Sequence, residues 1–190
     1  MSVSEYLTEW LESYARNNLR PNTYAGYKHN AFRYAIPAIG TIKLIHLSAR
    51  MLDAFYNNLR DEGLAINTIK YIHRTISIAL EHAKSYQYIL FNPAKDVLTK
   101  FNSTPNIPAP YTIQQVKALI ELVKGTYWEM IIILGGLYGL RRNEILALSW
   151  NDVCMDKQYF EVNKQLAPGC DRKQITTTLL KQDANNGMRK

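Results

Sequence analysis

Cysteine is nearly missing from this chain, with Cys154 and Cys170 the only two in 190 residues. Their spacing excludes a disulfide scaffold and any close-spaced metal or redox motif, so a reducing cytoplasm is the simplest setting. Histidine is also sparse. His29, His46, His73 and His82 show no ligand spacing, so no zinc or other metal site is expected, and no cofactor is implied. Gly135, Gly136 and Gly139 follow no strand and precede no Lys-Ser or Lys-Thr, which excludes a phosphate-binding loop. The longest apolar stretch, MIIILGGLYGL, falls short of the roughly 18 to 20 residues of a membrane span. The opening MSVSEYLTEW lacks the basic start and apolar run of a signal peptide. The expected protein is soluble and intracellular. Acidic residues are outnumbered 16 to 23 by Lys and Arg, giving a net charge of +7. The basic residues are spread from Arg16 to Lys190, as for several elements touching one long polyanion, although a solvated basic surface has the same composition.

What is present is helical periodicity. Ser2 with Glu5 forms a capping-box pattern ahead of Val3, Leu7, Trp10, Leu11 and Tyr14, predicting a helix over about 3 to 17. Pro21 opens a second helix through Tyr24, Tyr27, Ala31 and Tyr34, which the Pro37 to Gly40 region is expected to end. Ser48 caps a third, with Leu52, Phe55, Tyr56 and Leu59 on one face and Gly63 as its stop. A fourth carries Ile69, Ile72, Ile76, Ala79, Leu80 and Ala83 in phase until FNPA at 91–94, with Ala65 as a weak N-cap. Four helices in about the first 90 residues make a small bundle.

Residues 98–111, LTKFNSTPNIPAPY, have three prolines and no periodicity, and predict a linker between domains at 1–97 and 112–190. Thr112 with Gln115 is a second capping box, opening a helix with Ile113, Val116, Leu119, Ile120 and Val123 on its apolar face. The run 127–138 is apolar on most sides, as for a helix at the centre of the second domain. A short helix ends near Trp150. Strands at 159–166 and 173–181 follow, joined by a Pro168-Gly169 turn, and an Asn186-Gly187 turn begins a third.

Two groups of residues have the chemistry to meet an anion. On the fourth helix Asn67, Lys70, Tyr71 and Arg74 lie opposite the apolar stripe. On the second, Arg20, Thr23, Tyr27 and Lys28 mix charge, hydroxyl and ring. Such faces suit a major groove, with cations on phosphates and Asn or Tyr at base edges, and a solvated face is built from the same residues. In YGLRRNEILALSWNDV, Arg141 follows the apolar run directly and Glu144 lies one turn on. An arginine fixed by a rigid scaffold can clamp a phosphate through two parallel hydrogen bonds, and a surface Arg–Glu pair is the alternative.

GLRRNEILALSWNDV closely resembles the first catalytic-arginine motif of the tyrosine recombinase, or phage integrase, family. SVSEYLTEWLESY, LRPNTYAGY, NTIKYIHRTISIALEHA and FNPA are similar to its core-binding domain, and TIQQVKALI to the start of its catalytic domain. The resemblance runs over nearly the whole chain in the family's order. It implies a mainly α fold: a four-helix SAM-like bundle, then a truncated α+β catalytic domain with a small antiparallel sheet. It implies duplex DNA at recombination sites as the partner, clamped between the two domains, with self-assembly on DNA left open and no membrane involved. By motif match Arg141 is the first catalytic arginine, Glu144 its acidic support and Lys181 the catalytic lysine, with Lys173 the second candidate. No histidine follows His82 and no tyrosine follows Tyr159, so the family's His-x-x-Arg segment and nucleophile are not among these residues. The expectation is a fragment or truncated form that binds DNA without cutting it. A non-catalytic DNA-binding remnant or regulator, and a helical protein-interaction module, are the alternatives.

Overall fold

The computed structural model describes residues 1–101, 108–168 and 175–179, of which 167–168 and 175–179 are described as backbone only. The chain divides into two compact units, Met1–Pro105 and Asn106–Lys190.

The first unit is helical. Helix α1 starts as Val3–Trp10, with Ser2 and Glu5 closing the capping box. Its other leading amides find the Gly40 and Ile42 carbonyls, at 3.0 and 2.9 Å. It runs on through a wider stretch, Leu11–Ala15, where the Arg16 amide donates to the Leu11 carbonyl five residues back, and ends as Arg16–Asn18. Helix α2 repeats this plan: Pro21–Asn30, a wide stretch Ala31–Ala35, then Ile36–Ile39. The Ile36 amide reaches back five residues to Ala31, so the helix runs two residues past Pro37 and ends at Ile39 with Gly40 as its cap, inside the Pro37 to Gly40 region expected to stop it.

Helix α3 (Ala49–Asp61) takes its cap from the Ser48 hydroxyl, and α4 (Ile66–Ser85) starts at Ala65 with no side-chain cap. The apolar stripes of all four helices meet in one core, with Leu11, Leu52, Tyr56, Ile72 and Ala79 fully enclosed. Each added buried aliphatic side chain contributes on the order of 1.5–3 kcal/mol against chain entropy. Polar links are few and specific: the Tyr6 hydroxyl donates to the Ala79 carbonyl at 2.6 Å, and Asn92 donates to the Ser77 carbonyl and the Glu81 carboxylate. The expected linker boundary at residue 98 falls inside this unit. Asp53 accepts the Leu98 and Thr99 amides, and Phe101 packs edge-on against Tyr56 and at a tilt against His73.

In the second unit α5 (Ile113–Leu122) follows the Thr112–Gln115 capping box and packs on α6 (Tyr127–Gly136). The expected central burial of α6 is not found: Leu134 is its only buried side chain, and Trp128 and Met130 are half exposed or more. The described residues around it offer too few apolar groups to cover every side. After a turn at Gly139, α7 (Arg142–Ile145) packs against α6 and against β3. The run at 159–166 is not one strand. Val153–Cys154 (β1) pairs with Tyr159–Phe160 (β2), and Lys164–Pro168 (β3) pairs antiparallel with Ile175–Leu179 (β4), Lys164 facing Leu179. Pro168 is therefore the end of a strand. Among the described residues no helix is long and apolar enough to cross a membrane.

Candidate nucleic-acid interface

The buried stripe of α4 leaves Asn67, Lys70 and Arg74 exposed on the opposite face, with Tyr71 at its edge. Tyr71 reaches across to α2, its ring 5.9 Å from that of Tyr27. The two helices approach closely there, since a Cβ on Gly26 would lie 2.5 Å from the Tyr71 hydroxyl. One turn deeper, buried Asn30 donates to the Thr75 hydroxyl at 2.9 Å, which donates to the Tyr71 carbonyl at 3.0 Å. A buried pair of this kind fixes register, because sliding either helix would strand a polar group without a partner. The exposed faces of α2 and α4 thus form one rigid surface.

On the α2 side Arg20 is exposed and Thr23 half-buried. Tyr27 needs correcting: it is 4% exposed, stacked on Trp10, and belongs to the core. The alternation of tyrosines along α2 does not reveal which of them turn inward. Lys28 is exposed but engaged, bonding the Tyr24 hydroxyl at 3.3 Å and the Glu12 carboxylate at 3.2 Å. These two bonds raise its pKa, the Tyr24 hydroxyl first and Glu12 second. It is a tethered cation, whereas nothing of the kind holds Lys70 or Arg74 among the described residues.

The second cluster lies at the start of α7. The Leu140 amide donates to the Leu134 carbonyl, turning the chain so that Arg141 stands at the N-terminal end of the helix. Glu144 is 2% exposed, and both its oxygens are used: Oε2 accepts the Arg141 amide at 2.8 Å and Oε1 the Arg141 guanidinium at 3.0 Å. The Arg141 side chain is 66% exposed. A buried carboxylate thus fixes one nitrogen of an arginine and leaves the rest of the fork toward solvent, which is the geometry for receiving an anion without rearrangement.

Further along the chain, at Ser149, Asp152 and Lys164, is a tie that sequence reasoning missed. Asp152 Oδ2 accepts from the Ser149 amide and hydroxyl and from Lys164 Nζ at 2.7 Å, and Lys164 also donates to Ser149 Oγ at 3.0 Å. The hydrogen bond from Lys164, and then that from Ser149, bring the Asp152 pKa down to about 2. Lys164 therefore anchors β3 beside α7. Ser149 and Asp152 are visible within the arginine motif, but nothing in a strand-like run marks a lysine for a partner twelve to fifteen residues away. Lys181 and Lys173 lie outside the described residues. Among the described residues no group of His, Cys, Asp and Glu is placed to hold a metal.

Residues 2–60 match the family model for the phage integrase N-terminal SAM-like domain. A tyrosine recombinase XerC-like protein of Caldanaerobacter subterraneus subsp. tengcongensis is 22% identical over 87% of this chain and 44% of its own length. An integrase of Saccharopolyspora erythraea is 27% identical over 87% of this chain and 38% of its own. The chain thus spans less than half the length of these curated relatives. Among solved structures, the Tn1549 transposon integrase in complex with transposon right end DNA superposes with a TM-score of 0.76 at 20% identity. That match covers 95% of this chain and 58% of the integrase. The integrase-like domain from Bacillus cereus is 30% identical with a TM-score of 0.50, and 58% of this chain covers 93% of it. With the helical bundle, the ordered motifs and these likenesses in agreement, the chain belongs to the tyrosine recombinase, or phage integrase, family.

Proposed function

We propose that this chain is the DNA-gripping part of a site-specific recombinase that integrates or excises a mobile element, working on duplex DNA in the cytoplasm of a bacterium. In this reading 1–97 is the core-binding domain, 98–111 the tether and 112–190 the first part of the catalytic domain. The observation that carries it is the outward guanidinium of Arg141 locked by buried Glu144. A scissile phosphate meeting that fork would be bound before chemistry begins, the condition for electrostatic stabilisation of a developing phosphorane. Lys181 is the residue we assign to protonating the leaving oxygen, with Lys173 in reserve. Arg20, Thr23, Asn67, Lys70, Tyr71 and Arg74 would contact the duplex, and Lys28 would support that face through Glu12 and Tyr24. Relatives in solved structures are held on DNA, including the Tn1549 integrase and a lambda integrase dimer on a core site. Residues 1–190 contain no tyrosine after Tyr159 to act as nucleophile, so the act we assign to this chain is binding.

The test is a salt titration of affinity for a duplex of about 30 base pairs, where log K should fall linearly with log salt concentration. Lys70→Ala with Arg74→Ala should weaken binding and reduce that slope by about 2, one for each phosphate no longer neutralised. A slope unchanged by the double substitution would remove α4 from the interface. In a longer homologue that carries the tyrosine, replacing the arginine equivalent to Arg141 by Ala should abolish cleavage with a smaller loss of binding.

A further inference from the structure

Helix α4 ends in a turn that the DNA reading does not use. Tyr88 donates its amide to the Ala83 carbonyl at 2.9 Å and Gln87 to that of Lys84 at 3.0 Å, which requires Gln87 to sit at φ +60°. Glycine takes that conformation freely and a side-chain-bearing residue does so under strain. The turn swings Tyr88 back against Tyr6, ring centroids 5.9 Å apart and nearly perpendicular, with Tyr86 beside it at 6.3 Å. The result is a cleft of about 150 Å³ lined by Tyr6, Glu9, Trp10, Tyr14, Tyr86 and Tyr88. Tyr86 and Tyr88 remain 62% and 42% exposed, leaving aromatic surface open next to a carboxylate.

We propose that this cleft binds an organic cation, a guanidinium or alkylammonium head group. Aromatic rings attract such groups through the negative charge on their faces, and weakly hydrated cations gain most because little water must be shed. Glu9 supplies the countercharge. The same features repel a phosphate backbone, so the cleft is chemically distinct from the Lys70–Arg74 face and fails or stands independently of it. The head group is either a free small cation or a basic side chain of a second copy of this chain, which bears 23 Lys and Arg.

The experiment is an NMR titration of the full isotope-labelled chain with N-acetylarginine amide chloride, against sodium chloride at matched ionic strength. The Trp10 indole N–H, buried and without an acceptor among the described residues, is the central reporter. Saturable shifts confined to residues 6–14 and 86–88 are expected. Glu9→Gln should weaken half-saturation about fivefold, the scale of a partly exposed ion pair. Tyr88→Leu should abolish saturation while resonances elsewhere stay in place. In the absence of probe, shifts of these same resonances that vanish on dilution would identify a second copy as the source, and concentration-independent spectra with saturable probe binding a free cation. Shifts no larger than those with sodium chloride, or equal in the Glu9→Gln chain, would overturn the proposal.

Discussion

The first unit closes around a continuous apolar core contributed by α1 to α4, whereas among the described residues of the second unit only Leu134, Ala147 and Val162 are buried apolar side chains. Trp128, Met130 and Trp150 of the second unit are each at least half exposed. To its partly buried apolar contacts the second unit adds directed polar ties at element ends: Thr112 with Gln115, Glu144 with Arg141, and Asp152 with Ser149 and Lys164. The two kinds of cohesion behave differently. Apolar burial is non-directional and additive over many side chains, so it tolerates small shifts. A polar tie depends on protonation and on the survival of each partner. Such ties can present a charged fork at a fixed angle.

The largest effects should come from truncation in each unit. Ile72→Ala, at the fully enclosed centre of α4, should cost about 3–4 kcal/mol in urea unfolding of the first unit. Leu134→Ala, with sparser packing around it, should cost about 2 kcal/mol and affect only the second. Equal losses would erase the contrast. Next in size, Arg141→Ala strips buried Glu144 of its guanidinium and leaves the backbone amide as its remaining partner. Because Arg141 is largely exposed, we expect about 1–2 kcal/mol rather than the full cost of breaking a buried pair. Arg141→Lys should recover part of it, as read by protection of α7 amides. Smaller still is a pair of substitutions at two matching helix ends in the first unit. Gly63 ends α3 at φ +85° with the same bonding pattern that Gln87 gives α4 at φ +60°. Gln87→Gly should stabilise by about 1 kcal/mol and Gly63→Ala should destabilise by a similar amount, measured by thermal unfolding.

The first unit was the more legible of the two because its own residues complete it. The Ser2 and Ser48 caps and the α4 stripe are local signals, and each matched a tertiary outcome. What escaped was set by packing at a distance. The wide turns at 11–15 and 31–35 leave no trace in periodicity. The inward turn of Tyr27 depends on where Trp10 lies. In the second unit apolarity predicted burial for α6, but apolar residues are buried only where neighbours exist to cover them. Of the candidate site, the Arg141–Glu144 pair was readable because its partners are one helical turn apart, and the Lys164–Asp152 tie was not because its ends are brought together only by the fold.

The finest way to separate the two units is pH, through His73 in the first and Asp152 in the second. His73 is packed between Tyr56 and Phe101, and burial lowers its pKa from 6.5, with the Asp53 charge opposing. The unfolded chain therefore takes up a proton before the folded one, and stability present above about pH 6.5 drains away as pH falls toward the lower folded value. Asp152 has the same sign in another window. Its folded pKa is about 2 against an ordinary 3.8, so its contribution is intact above about pH 4 and is lost as pH falls through the folded value. Between about pH 7.5 and 5 the first unit should lose stability while the second stays level, and His73→Asn should flatten the first. Below about pH 4 the second should weaken, and Asp152→Asn should remove its share of that dependence. A second unit whose unfolding midpoint moves between about pH 7.5 and 5 would mean that its cohesion does not rest on the carboxylate ties assigned to it.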